Sequence, residues 1–244
     1  MNNTKQFGSE PIYMTGYASH WTAIEKWNLG WFKRKFGNKM VGINSGKYVR
    51  SREYPEFAYA ANKAPRLFGS YLQAIIENVK PEGYLAAHGF SDEFTELLTD
   101  IDLPLFSHEK LVSQHFWISA PDTITQLHFD RANNVLIQIF GTKKVYLYKP
   151  TCQLKPMRIL NNWAVDVSEL EVDNFCDSLQ TPCYEYDLKP GDALYIPYGW
   201  WHKVVSLDAC ASVNQWWWDR SMLATKLPDM LLARIKTAFK STNG

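Results

Sequence analysis

From Ser113 onward the chain breaks into short apolar runs: SQHFWIS, TITQLHF, NVLIQIF, KKVYLY, CYEYDL, ALYIP, HKVVSL and CASVNQWWW, the last ending at Trp218. Runs this short, rich in β-branched and aromatic residues and bounded by turn residues, are strands. Eight in succession predict a sandwich or small barrel. Gly141-Thr142 separates two of them at hairpin spacing, and Pro190-Gly191-Asp192 is a turn signal before another. Residues 150–182 form a longer connection carrying Asp166, Glu169, Glu171, Asp173 and Asp177, read as a solvated acidic loop in preference to a flap over the barrel mouth.

The flanks have helical texture. Trp21, Ile24, Leu29, Phe32 and Phe36 make an apolar stripe from His20 to Gly37, with Gly37 as its stop. VGINSGKYVR reads as a short strand and turn, FAYAAN and YLQAIIENV as helical segments, and GYLAAH, Gly83 to His88, as another strand. Ser91 is placed to cap a short surface helix running to Leu98, with Phe94, Leu97 and Leu98 as its buried face. Beyond Trp218, Leu227, Met230, Leu231, Ile235 and Phe239 form one stripe of a C-terminal helix. That face is expected to pack on its own barrel, with a homodimer through this helix as the alternative. No convincing linker divides the chain, so 1–244 is read as one domain: a mixed α/β part over 1–112, a barrel core over 113–218 and the helix over 219–244.

Charge and composition exclude some partners. Lys and Arg number 26 against 25 Asp and Glu, a net charge of +1 without a basic stripe, which disfavours broad electrostatic binding of nucleic acid. The N-terminus lacks a basic segment followed by an apolar one, and no run of 18 apolar residues occurs. The expectation is a soluble, cytoplasmic protein with no membrane partner. Cys152, Cys176, Cys183 and Cys210 form no CxxC pair and read as free thiols in a reducing compartment.

The chemistry is carried by TQLHFDRANNVLIQIFGTK and, later, PGDALYIPYGWWH. His128 and Asp130 lie two residues apart in a β-prone segment, so both side chains leave the same face of the strand. A second histidine from a neighbouring strand would complete two imidazoles and a carboxylate on one side of an ion. That set suits a non-haem Fe(II) with positions open for a co-substrate and oxygen. An HxD alone is weak, but here Thr125, His128, Asp130, Asn134, Gly141 and Lys143 precede Pro190, Gly191, Asp192, Ile196, Pro197, Trp200, Trp201 and His202, then Ser212, Asn214 and Trp216. This ordered set resembles the JmjC-type cupin oxygenases, in particular the branch related to the asparaginyl hydroxylase that acts on hypoxia-inducible factor. The resemblance is strong over about 113–218 and looser upstream, where EPIYMTGYASHWTAIEKW is similar to the family's opening segment.

The resemblance implies a mainly β fold with flanking helices, a double-stranded β-helix or jelly-roll barrel, binding Fe(II) at its mouth through His128, Asp130 and His202. It implies 2-oxoglutarate as co-substrate and O2 as oxidant, with Lys143 and Thr125 holding the distal carboxylate, Tyr84 adding a hydroxyl, and Asn134 and Asn214 close by. Physical reasoning supports Lys143 separately, because a dicarboxylate needs a cation far from the metal, and Lys144 should point to the opposite face. The implied reaction is hydroxylation of an unactivated C–H bond, with release of succinate and CO2, on a peptide, protein or small-molecule substrate. HxD in place of HxE favours hydroxylation over demethylation within the family. A demethylase, a tRNA-base hydroxylase, a non-oxygenase metal cupin using Zn(II) or Mn(II), and a non-catalytic binding module are the competing readings. His20, His88, His108 and His115 show no ligand spacing, Trp216 to Trp218 read mostly as core, and Arg131 is a candidate substrate contact.

Overall fold

The computed structural model describes residues 8–44, 63–79, 81, 83–90, 93–103, 110–130, 132–151, 156–158, 165–168 and 182–218. In chain order its elements are β1 (Ile12–Met14), α1 (Thr22–Lys26), α2 (Leu29–Phe36), β2 (Met40–Asn44), β3 (Lys63–Leu67), α3 (Phe68–Ile76), β4 (Leu85–Gly89), a 3-10 turn (Thr95–Asp100), β5 (Lys110–Ser119), β6 (Ile124–Asp130), β7 (Asn133–Phe140), β8 (Lys143–Tyr148), β9 (Pro156–Arg158), β10 (Val165–Ser168), β11 (Tyr184–Leu188), β12 (Ala193–Ile196), β13 (Trp201–Ser206) and β14 (Cys210–Trp218). The last eight strands other than β9 and β10 begin and end within a few residues of the eight apolar runs.

These strands alternate between two antiparallel sheets. One has the order β1-β12-β7-β14-β5-β4 and the other β11-β8-β13-β6-β10-β9. Strands β5, β7, β12 and β14 thus face β6, β8, β11 and β13, the pairing of a jelly roll.

The chain crosses from sheet to sheet at tight corners. Gly141-Thr142 is one of these and not a hairpin: β7 pairs with β12 and β14, whereas β8 pairs with β11 and β13. Gly141 has φ +68°, and a Cβ there would stand 2.3 Å from the carbonyl oxygen of Ala209. Thr142 N donates to Asp208 Oδ1 at 2.7 Å and Leu207 N to the Thr142 carbonyl at 2.9 Å, so two corners are stitched together. At the Pro190-Gly191-Asp192 turn, buried Asp192 accepts from Tyr13 Oη (2.5 Å), Gly16 N (2.9 Å) and Lys189 N (3.0 Å), which ties the N-terminal strand to the barrel.

Alternation along β7 divides the core. Val135, Ile137 and Ile139 pack outward against a layer from α1, α2 and α3 that includes Trp27, Phe32, Phe36, Phe68 and Leu72. Phe32 is fully buried, edge-on to Trp27 and Phe68 and stacked on Phe116. Leu136 faces inward and joins Val145, Leu147, Leu188, Leu194, Ile196, Trp200 and Val204 between the sheets. Apolar side chains therefore fill part of the barrel interior, and polar ones occupy the rest.

Several local expectations change. The helix expected from His20 to Gly37 is two helices, because Asn28 turns extended and its side chain accepts from Trp31 N at 2.9 Å to cap α2. Gly37 ends α2 in right-handed backbone, and Gly69 of α3 approaches it because Gly69 has no side chain: a Cβ there would stand 2.8 Å from the Gly37 carbonyl oxygen, to which Gly69 N donates at 2.8 Å. The short surface helix is a 3-10 turn over Thr95–Asp100, with Phe94 and Leu97 buried and Leu98 exposed. Residues 165–168 of the acidic connection are no solvated loop; β10 pairs with β6 beside Asp130, Phe129 and His128. Ser91, FAYAAN and the expected C-terminal helix, with its proposed homodimer contact, lie outside the described residues. No helix among the described residues is long and apolar enough to cross a membrane.

Candidate metal centre

Strand register assembles the site at one end of the barrel. β6 and β13 pair so that His202 lies directly opposite His128, and the two-residue period puts Asp130 on the same face. The imidazole centroids are 4.1 Å apart. Asp130 Oδ1 lies 3.9 Å from His128 Nε2, and Oδ2 lies 3.7 Å from His202 Nε2. One ligating atom from each of the three falls within 4.8 Å of the others, and all three residues are buried.

The surroundings decide which atoms are available. His202 Nδ1 is 2.9 Å from the Trp200 carbonyl, which can only accept, so Nδ1 carries the proton and Nε2 presents its lone pair to the site. Asp130 Oδ2 accepts from Trp216 Nε1 at 2.7 Å and Asn134 Nδ2 at 2.9 Å, while the Asp130 backbone carbonyl accepts from Gly199 N at 3.0 Å. No described donor is bonded to Oδ1. Two imidazole nitrogens and one free carboxylate oxygen on one side are the donors a divalent transition metal takes while keeping other positions open.

The expected co-substrate residues gather deeper in the barrel. Lys143 opens β8, is 6% exposed, donates from Nζ to Ser212 Oγ at 2.8 Å and sits 5.9 Å from the centre of the Trp117 ring. No described carboxylate pairs with it. Burial pulls its pKa below the usual lysine range, with the Cys210 thiol offsetting part of that effect. Lys144 turns outward to Asp187 and Glu185, as alternation requires. Tyr84 Oη is 3.4 Å from Thr125 Oγ1, and the Tyr84 ring stacks on Trp117 at 6.2 Å.

Simple alternation would send Thr125 and His128 to opposite faces. The pairing of β6 with β13 slips by one residue between them, His202 facing His128 and Val204 facing Thr125, and this bulge returns Thr125 to the face of the histidines.

Asn134 and Asn214 also reach the site, joined in one chain: Trp117 Nε1 donates to Asn214 Oδ1 (2.5 Å), Asn214 Nδ2 to Asn134 Oδ1 (3.3 Å), and Asn134 to Asp130. Trp216, expected as core, instead contacts the Asp130 carboxylate, while Trp217 next to it packs in the core against Tyr195. Trp117 has no part in the sequence reading, and Ser212 and Trp216 enter it as members of the ordered set; the available signal is that an indole N–H buried in a strand must find an acceptor. His20 is exposed, His88 packs on Phe94 and Phe116, and His115 packs on Trp216, so none of the three joins the ligand group. Arg131 and His108 lie outside the described residues.

A jelly roll with two histidines and an aspartate converging at one end defines the class of metal-binding cupins. The chain belongs to the cupin-like domain family, which it matches over residues 4–222. It is 29% identical over 218 residues to lysine-specific demethylase 8 of Xenopus tropicalis, covering 85% of this chain and 48% of that protein. It is 30% identical over 220 residues to lysine-specific demethylase JMJ30 of Arabidopsis thaliana, covering 85% and 49%. A tRNA wybutosine-synthesizing protein 5 of Danio rerio is 28% identical over 214 residues, covering 80% and 64%. The chain spans about half the length of these two demethylases.

Proposed function

We propose that this chain is an Fe(II)- and 2-oxoglutarate-dependent oxygenase that hydroxylates an unactivated C–H bond, with succinate and CO2 as co-products. The observation that carries the reading is the pairing of an open two-histidine, one-carboxylate triad with a buried ammonium, Lys143, that has no described carboxylate partner. A buried cation of this kind is costly until an anion reaches it. A dicarboxylate that ligates the metal at one end and meets Lys143 at the other satisfies both features.

When bound, iron supplies the oxidising chemistry with O2 and the keto acid. The chain supplies placement. His128, His202 and Asp130 Oδ1 would hold the metal; Lys143, with Ser212, Thr125 and Tyr84 nearby, would take the distal carboxylate; Asn134 and Asn214 would lie close to the co-substrate.

The substrate we favour is an amino-acid side chain in a protein, peptide or small metabolite. HxD at His128 and Asp130, the pattern typical of the hydroxylase branch, supports hydroxylation over the demethylation named for two relatives. The near-neutral charge gives no support to a tRNA substrate such as the name of a third relative suggests. A Zn(II) or Mn(II) hydrolase would share the triad but leave Lys143 without a purpose.

The test is uncoupled turnover. Purified protein with Fe(II), ascorbate and 2-oxoglutarate should form succinate, and the Asp130→Ala variant should not. Absence of succinate from wild-type protein that binds iron would contradict the reading.

A further inference from the structure

Asp130 has two oxygens, and hydrogen bonds to one of them leave the other as the oxygen offered to a metal. Two neighbouring tryptophans, with ring centroids 6.4 Å apart, act on Oδ2 by a direct and a relayed route. Trp216 Nε1 donates straight to Oδ2 at 2.7 Å. Trp117 acts at a distance, through Asn214 and Asn134 to the same oxygen.

The direction of that chain is forced by its ends. An indole N–H can only donate and a carboxylate oxygen can only accept. Trp117 therefore fixes Asn214 with its carbonyl oxygen toward the indole and its NH2 toward Asn134. Asn134 must then offer its oxygen to Asn214 and its NH2 to Asp130. Without Trp117 the two amides could invert together, and Asn134 would turn an oxygen toward the Asp130 carboxylate. All four residues other than Trp216 are buried, so water is poorly placed to replace a lost donor.

We propose that Trp216 and Trp117 are positioning residues for the metal: Trp216 by occupying Asp130 Oδ2, and Trp117 by setting the polarity of the Asn214–Asn134 amide pair, so that Oδ1 is the ligating oxygen. The proposal rests on the triad being a metal site.

Co(II) titration of the purified full-length chain, read from its visible d–d absorption, tests it without turnover. Groups that orient a ligating carboxylate commonly change metal affinity by about 10- to 100-fold. Trp216→Phe, which keeps the ring and loses the N–H, should weaken Co(II) binding by about tenfold or more. Trp117→Phe should weaken it by a smaller factor, and that factor should vanish when Asn134 is already Ala, since no amide remains to orient. Trp217→Phe, in the core beside Trp216, should lower thermal stability and leave Co(II) affinity within about twofold of wild type. If wild type binds Co(II) and both Trp216→Phe and Trp117→Phe bind equally well, the positioning roles are wrong and the metal site stands. If the Trp117→Phe effect persists unchanged in the Asn134→Ala background, the amide relay is wrong. If wild type does not bind Co(II), the metal reading fails and takes this inference with it.

Discussion

His128 and His202 are direct cross-strand partners on β6 and β13, with ring centroids 4.1 Å apart and planes inclined at 53°. Two imidazoles so placed, with the Asp130 carboxylate on the same strand face, are suited to sharing one ion. Substituting His202 by Ala should abolish Fe(II)-dependent turnover while shifting the thermal midpoint of ligand-free protein by only a few degrees. Parallel activity assays and thermal melts check this; a variant that retains turnover would remove His202 from the site.

Lys143 should show opposed effects on stability and binding. Replacing the buried ammonium by the similarly shaped Met removes a desolvated charge that Ser212 and the Trp117 ring only partly satisfy. Lys143→Met should raise the melting temperature of the ligand-free protein, by roughly 2–4 °C per kcal/mol gained in a chain of this size. The same variant should weaken 2-oxoglutarate binding at least tenfold. Calorimetric melts and a titration of the metal-loaded protein give the two readings.

The pH dependence of stability should carry the signature of the Tyr13–Asp192 contact. Burial alone would raise the Asp192 pKa, but hydrogen bonds from Tyr13, Gly16 and Lys189 outweigh it and hold the carboxyl below its ordinary value. Its contribution is thus present above an unfolded-state pKa near 4 and is lost as pH falls through the depressed folded value. Burial and then the neighbouring Asp192 push Tyr13 up to about 12, so its contribution is complete below pH ~10 and lost as pH rises toward 12. Melting temperature measured across pH should fall at both extremes, and Asp192→Asn should flatten the acid limb.

Gly141→Ala should be among the most damaging small substitutions. It forces a positive φ on a residue with a side chain and drives Cβ to 2.3 Å from the Ala209 carbonyl oxygen, where backbone must move. The conformational part alone costs about 1–3 kcal/mol. Denaturant unfolding should show a lower midpoint, with the corner between the two sheets as the first region to lose amide protection.

Much of this was legible from the chain alone, for definable reasons. The eight barrel strands were readable because each is a short apolar run with turn residues on both sides. His128 and Asp130 were readable because a two-residue period puts both on one face. What sequence hid depends on tertiary register. Gly141-Thr142 looked like a hairpin because turn chemistry does not reveal whether the chain folds back or crosses to a second sheet. The resemblance named Thr125, but strict alternation would place it away from His128, and the bulge in β6 that returns it to that face could not be read from the residues. Trp216 was read with its neighbours as core because three tryptophans in a row give no hint which one meets a carboxylate. The division of the first helix at Asn28 was available, since asparagine is a preferred cap, but the apolar stripe ran through it and masked the break.

The most direct test of the central claim is anaerobic titration of the protein with Fe(II) and 2-oxoglutarate, monitored for the weak visible charge-transfer band of a keto acid chelated to iron. The account predicts the band in wild-type protein, its loss in His202→Ala, and its appearance only at much higher 2-oxoglutarate in Lys143→Met. Iron binding without any band would show that the keto acid does not chelate the metal, and would contradict the assignment of this chain as a 2-oxoglutarate oxygenase.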